Sequence, residues 1–207
     1  MFGLDSRRDW LPNGPMPYLS PQTLTRTEQQ ALLRATAGHP RDHAIFSLAL
    51  GTALRLAEIV GLNVGDLYFA DGTPRSRSHL RIAKNGRAGD VFIPDALRPK
   101  LKGLWAYKIR SGESLSPDAP LFCNQSQARI SKRRVQHAFK TWQLRAGFDR
   151  LYPFHSLRHT SVTNVYRSSH DLFLAQRFAR HASPLTTIIY THASDEELQE
   201  GIRSLPC

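Results

Sequence analysis

Cysteine is nearly absent from the 207-residue sequence, with Cys123 and Cys207 the only two. A pair so far apart, one of them the last residue, gives neither a disulfide framework nor the spacing of a zinc site, and fits a reducing compartment. Runs of 18 apolar residues are missing, which excludes a hydrophobic membrane-spanning helix. MFGLDSRRDW has no apolar run behind its charges, so no signal peptide is expected. There are no internal repeats and no low-complexity tracts. Acidic residues are scarce: 17 Asp and Glu face 28 Lys and Arg, a formal net charge of +11. That imbalance says nothing about fold but makes a polyanion the expected partner. The 41% hydrophobic content is enough for one substantial packed core.

Patterning along the chain predicts a mainly helical α+β domain with one small antiparallel sheet. Residues 1–20 hold Pro12, Gly14, Pro15 and Pro17 and read as an irregular arm or linker stub. Thr25 and Glu28 form a capping box ahead of Ala31, Leu32 and Leu33. A buried helix is expected over His43–Leu50, interrupted by Gly51, and a shorter one over Leu54–Val60, closed by Gly61. In residues 79–93, Leu80 and Ile82 alternate with polar neighbours, as do Val91 and Ile93, around the turn-forming KNGRAG. This reads as a hairpin. Helices follow over Asp95–Arg110, from a Ser131 cap to Gly147, over Ser156–Tyr166 and over Asp171–Arg180. Ser183 and Pro184 open another. Ser194 and Glu197 form a second capping box before a short final helix.

Three segments carry chemistry. In HSLRHT (155–160), His155 and Arg158 fall on one side of a helix start, where backbone N–H groups favour an anion. Arginine adds a fork suited to two phosphate oxygens, and imidazole a group that titrates near neutrality. In HASPLTTIIYTH (181–192), His181 ends one helix and Tyr190 ends the next. A lone tyrosine after Ile188 and Ile189 would be a core aromatic. Beside cations that hold a phosphate and a base that takes its proton, it is a competent nucleophile toward phosphorus. In TALRLAEI (52–59), Arg55 follows a near-continuous apolar stretch, where a charge must be paired or serve a ligand. Glu58 stands three residues on, and a simple intrahelical pair is the plain alternative.

Together these segments resemble the tyrosine recombinase, or phage integrase, family from about Leu24 to His192. The resemblance rests on A-L-R-L-A-E around Arg55, Lys84 in the hairpin, His155, Leu157, Arg158 and His159 in H-x-L-R-H, His181 before Ser183, and Tyr190 with His192. It implies the tyrosine recombinase catalytic-domain fold over 21–207, with no core-binding domain preceding it: either a stand-alone catalytic domain or one whose remainder has been removed. It further implies a site-specific recombinase that cleaves and rejoins DNA through a 3′-phosphotyrosyl intermediate, without metal or cofactor. In that scheme Arg55 and Arg158 clamp the scissile phosphate, His181 adds a hydrogen bond and Tyr190 attacks. Lys84 protonates the leaving 5′-hydroxyl, while His155 accepts the tyrosine proton or organises the transition state. Glu58 supports Arg55. The implied partner is double-stranded DNA, bound by a homotetramer or a hetero-tetramer with a related recombinase. The implied location is the bacterial cytoplasm, at the nucleoid. A DNA-binding regulator with a vestigial catalytic set, or a type IB topoisomerase-like relaxing enzyme, would share these motifs.

Departures from the family pattern stand out. Arg180 replaces the glycine usual before the second histidine, Ala53 stands where glycine is common, and Arg87 is a weaker candidate for the role of Lys84. From Arg129 to Arg158 eight Lys or Arg accompany one acid, Asp149. Lys132, Arg133 and Arg134, near a helix start, are expected to meet phosphates, Gln136 a base edge, and Arg87 and Arg180 further DNA. A solvated basic face is the alternative. The C-terminal Leu198, Ile202 and Leu205 suit a tail helix that docks either on a neighbouring protomer or on its own core.

Overall fold

The computed structural model describes residues 21–80, 89–190 and 203. The N-terminal arm, the hairpin tip with Lys84 and Arg87, His192, the Ser194–Glu197 box and the apolar tail positions lie outside the described residues.

Architecture follows from one helix that is apolar all round. Helix α2 (Pro40–Thr52) buries Ala44, Ile45, Phe46, Leu48 and Ala49, and four longer helices are among those that pack around it. These are α1 (Arg26–Thr36), α5 (Arg98–Arg110), α6 (Lys132–Arg145) and α7 (His155–Ser169). A helix without a polar face is stable only when enclosed, which makes α2 the axis of the domain. Short helices α3 (Leu56–Gly61) and α4 (Val64–Leu67) lead to an antiparallel pair, β1 (Arg77–Leu80) and β2 (Gly89–Phe92), with Arg77 opposite Phe92 and Leu80 opposite Gly89. Helices α8 (Leu172–Ala179) and α9 (Leu185–Ile188) complete the described chain. None is long and apolar enough to cross a membrane among the described residues.

Local signals explain most boundaries. The Thr25 hydroxyl accepts from Glu28 N at 3.2 Å while the Glu28 carboxylate accepts from Thr25 N at 2.7 Å. Ser131 accepts from Arg134 N at 3.2 Å, and Asp171 caps α8 through Phe173 N at 2.8 Å. Gly51, expected to break α2, lies inside it. A β-carbon there would stand 2.9 Å from Leu97 Cδ1, so this glycine permits close packing against the turn before α5. The break falls instead at Ala53, in the left-handed region at φ 50°. Helix α3 accordingly starts at Leu56 rather than Leu54. Two further differences are local. Asp95–Leu97 forms a 3₁₀ turn before α5, and α7 extends to Ser169, three residues past Tyr166.

Two buried charged groups inside this frame, Asp42 and Lys108, are paired. Asp42 accepts from Trp142 Nε1 at 2.8 Å and ties α6 to α2. The Lys108 ammonium, wholly buried, donates to Glu113 at 2.7 Å and to the carbonyls of Pro120 and Leu121 at 3.2 and 3.1 Å. Deleting one partner of a buried ion pair strands the other charge in a low-dielectric interior. Glu113→Ala is therefore expected to destabilise the domain by about 3 kcal/mol. Urea unfolding checks this: the midpoint should fall with the slope unchanged.

Candidate active site

A second, smaller apolar cluster lies beside the main core: Ala53, Val162, Ala175, Ala179 and Tyr190, with Tyr166 and Phe178 against it. Around it the fold gathers the charged groups. Helices α2 and α8 both end in residues held left-handed without glycine, Ala53 at φ 50° and Arg180 at φ 55°. For residues with a β-carbon this costs about 1 kcal/mol each. The compensation is visible in what the carbonyls at these two helix ends meet. Arg158, in the first turn of α7, is only 2% exposed. It donates through Nη1 to Ala53 O and through Nη2 to Ala179 O. Two helix C-termini, the negative ends of their dipoles, thus converge on one buried guanidinium. Burial, then the charges of Arg55 and Arg180, lower its pKa to about 10, so it stays cationic at neutral pH. With only these two carbonyl bonds described, N–H groups remain for an anion.

Arg55 sits between α2 and α3. Its backbone N–H donates to Glu58 Oε2 at 2.6 Å and its Nη1 to Glu58 Oε1 at 3.2 Å. The Arg55 side chain is 42% exposed, so its guanidinium remains open to solvent. Arg180, expected to reach DNA, turns inward and binds Glu58 Oε2 at 3.0 Å with only 11% of its side chain exposed. Glu58, on α3, draws it there: it is the acid that Arg180 meets among the ion pairs of the described residues. Two guanidinium groups therefore share one carboxylate, with that of Arg158 close by, and the excess positive charge favours an anionic ligand.

Three imidazoles complete the site. His155 and His159 are one helical turn apart on α7 and their rings meet edge to face at 4.4 Å. The Tyr190 hydroxyl lies 2.6 Å from His159 Nδ1. The Tyr190 ring, buried at 5% exposure, stacks on that of His181 with centroids 6.1 Å apart. His181 Nδ1 lies 2.9 Å from the hydroxyl of the wholly buried Thr187. Burial is the leading cause that lowers all three imidazoles. His155, Arg158 and other nearby cationic groups push further, bringing His159 and His181 to about 4. At neutral pH they are uncharged and can accept a proton. Burial raises the Tyr190 phenol, with Arg158 and Arg55 pulling the other way.

Arg55, Glu58, His155, Arg158, His181 and Tyr190, singled out from sequence, are thus brought within electrostatic reach of one another. His159 was not singled out for chemistry. Its i+4 spacing from His155, on the same helix face, was the available signal. Lys132, Arg133, Arg134 and Gln136 are exposed at the start of α6. Arg129 is spent internally on Val60 O, Leu62 O and Asn63. Among the described residues no group of three His, Cys, Asp or Glu side chains is placed to hold a metal ion.

Comparison with known proteins gives the family. The phage integrase family model matches residues 22–197. The chain is 30% identical over 191 residues to tyrosine recombinase XerC of Caldanaerobacter subterraneus subsp. tengcongensis, covering 90% of this chain and 51% of that protein. It is 33% identical over 184 residues to tyrosine recombinase XerC of Vibrio cholerae serotype O1, covering 87% and 57%. The chain therefore spans about half the length of the curated relatives it matches. Among solved structures, XerA recombinase superposes with a TM-score of 0.72 at 27% identity, over 88% of this chain and 64% of that one. XerH site-specific recombinase bound to palindromic difH substrate superposes at 0.71 and 24% identity, over 89% and 53%, which speaks to the fold alone.

The lowered imidazoles make a pH prediction with a definite sign. A histidine whose folded pKa lies below its unfolded value binds fewer protons when folded, so stability rises with pH between the two values. The melting temperature should fall as pH drops from about 6.5 toward about 4. A His159→Gln, His181→Gln double variant should have a flatter profile across that window, measured by thermal unfolding at fixed ionic strength.

Proposed function

The chain belongs to the phage integrase family, and from that membership we propose that it is a site-specific DNA recombinase whose catalytic unit spans residues 21–207. The observation that carries this reading is the Tyr190 phenol, 2.6 Å from a neutral imidazole and beside a cluster of guanidinium groups that outnumber their carboxylate. Such a set can hold a phosphodiester, neutralise the charge of its pentacovalent transition state and supply an oxygen nucleophile.

In the proposed reaction the remaining N–H groups of Arg158 and the open guanidinium of Arg55 take the non-bridging oxygens of the scissile phosphate. His181 adds a hydrogen bond, and His155, exposed at the start of α7, faces the incoming phosphate. The phenol proton passes to His159 Nδ1 as Tyr190 Oη bonds to phosphorus. The phosphorus–O5′ bond breaks, and Lys84 protonates the departing 5′-oxygen. What remains is a 3′-phosphotyrosyl link and a free 5′-hydroxyl. A 5′-hydroxyl from a second duplex then attacks phosphorus as the phosphorus–Tyr190 Oη bond breaks, its proton going to Lys84, while His159 returns the other to the departing Tyr190 oxygen. Protons and bonds balance over the cycle, so the exchange needs no external energy source. DNA would be gripped by Lys132, Arg133, Arg134 and Gln136 along α6 and by Arg87 in the hairpin. Exchange between two duplexes calls for four catalytic units, either four copies of this chain or copies paired with a related recombinase.

The test uses a pool of nicked duplexes of randomised sequence, in which cleavage releases a short fragment and traps the enzyme covalently. Wild-type protein should accumulate a protein–DNA adduct that Tyr190→Phe lacks altogether. Arg158→Lys, which keeps charge but loses the fork, should slow trapping by at least about a hundredfold while retaining most non-specific affinity. An adduct that survives Tyr190→Phe would overturn the reading. Trapped strands should also transfer to a second labelled duplex. Rejoining confined to the parent strand would indicate a relaxing enzyme instead.

A further inference from the structure

Arg180 is the side chain whose placement the reaction scheme above leaves unused. A β-carbon at φ 55° strains the backbone where glycine would fit, yet here an arginine ends α8, immediately before His181. Two contacts account for where its side chain goes. Its Nη2 binds Glu58 Oε2 at 3.0 Å, the same oxygen that accepts from Arg55 N at 2.6 Å, while Glu58 Oε1 receives Arg55 Nη1 at 3.2 Å. Its methylenes lie across Gly89, the first residue of β2. A β-carbon on Gly89 would stand 3.3 Å from Arg180 Cδ and 3.9 Å from Cγ. One residue therefore joins the end of α8, the carboxylate that holds Arg55, and strand β2, which follows the segment containing Lys84 in the sequence.

We propose that Arg180 is a positioning residue: it locks the Glu58 carboxylate so that Arg55 keeps donors free for phosphate, and it fixes β2 against the site. This rests on the recombinase reading. The electrostatic logic is division of one negative charge. With Arg180 present, two guanidinium groups draw on Glu58, each pair screened by the other. Without Arg180, the carboxylate, only 10% exposed, has Arg55 as its sole described ion-pair partner. It would hold that guanidinium more tightly in competition with the phosphate. The strand would at the same time lose the aliphatic cover over Gly89. Both effects act on the rate of the chemical step more than on the affinity for DNA, because Arg180 itself is turned away from solvent.

The experiment is single-turnover trapping on the best duplex recovered from the randomised pool, with dissociation constants and melting temperatures measured in parallel. Arg180→Gly suits the left-handed backbone and is expected to fold. It should trap at least about tenfold more slowly, with a dissociation constant within about threefold of wild type. Arg180→Lys should recover part of the rate. A double-mutant cycle supplies the readout that a merely structural role would not move. If Arg180 acts through Glu58, adding Arg180→Gly to Glu58→Gln should cost much less than it costs alone. Wild-type rates in Arg180→Gly would overturn the proposal. So would multiplicative effects in the cycle, or a loss confined to DNA affinity. Should Arg180→Gly prove unfolded, a wild-type rate in Arg180→Lys would also count against it, and a reduced rate at unchanged affinity would support it. A wild-type chain that traps no duplex would instead overturn the recombinase reading beneath the proposal.

Discussion

The guanidinium of Arg158 meets the carbonyl ends of two helices, and most of the site is built from that encounter. A cation almost removed from water is costly unless hydrogen bonds and opposing charge receive it. Ala53 and Ala179 supply both, because α2 and α8 end where they do. Those two endings require left-handed turns at Ala53 and Arg180, and the strain they carry is retained by the bond each turn allows. Fixing Arg158 fixes α7 relative to α2 and α8. That in turn sets where His155, His159 and Tyr190 can lie.

Charge accounting explains the remaining chemistry. Arg55 and Arg180 bind Glu58 with Arg158 close by, and burial first, then this positive field, keeps the nearby imidazoles unprotonated. Two causes, desolvation and cationic charge, thus act on the imidazoles in the same direction. The arrangement differs from a fixed pair of acid and base. In the proposed reaction its poise would change when a phosphate enters and offsets the cations, raising the imidazoles' affinity for a proton.

Particular residues mark how far the sequence could be read. Thr25, Ser131 and Asp171 act locally, so capping chemistry gave their helices to within a residue or two. The continuous apolar run through Phe46 and Leu48 announced an enclosed helix. Gly51 misled, because a glycine that permits close approach and one that ends a helix look alike until Leu97 is in place. Arg180 misled for a related reason: a basic residue at a helix end reads as a surface cation, and only the tertiary fold puts Glu58 beside it.

Composition and order alone determined the excess of positive charge, the α+β patterning and the family, since these depend on residue types and spacing. The motif around Arg55, the H-x-L-R-H segment and the stretch from His181 to Tyr190 are each local. Which imidazole touches the phenol was left to tertiary structure. His155 and His159 share a helix face, and only the packing of α8 on α7, with α9 on α8, brings Tyr190 to the second of them. The same holds for the inward turn of Arg180 and the two carbonyls on Arg158. Each depends on groups far apart in the chain, and their meeting is decided by the packing of helices around α2.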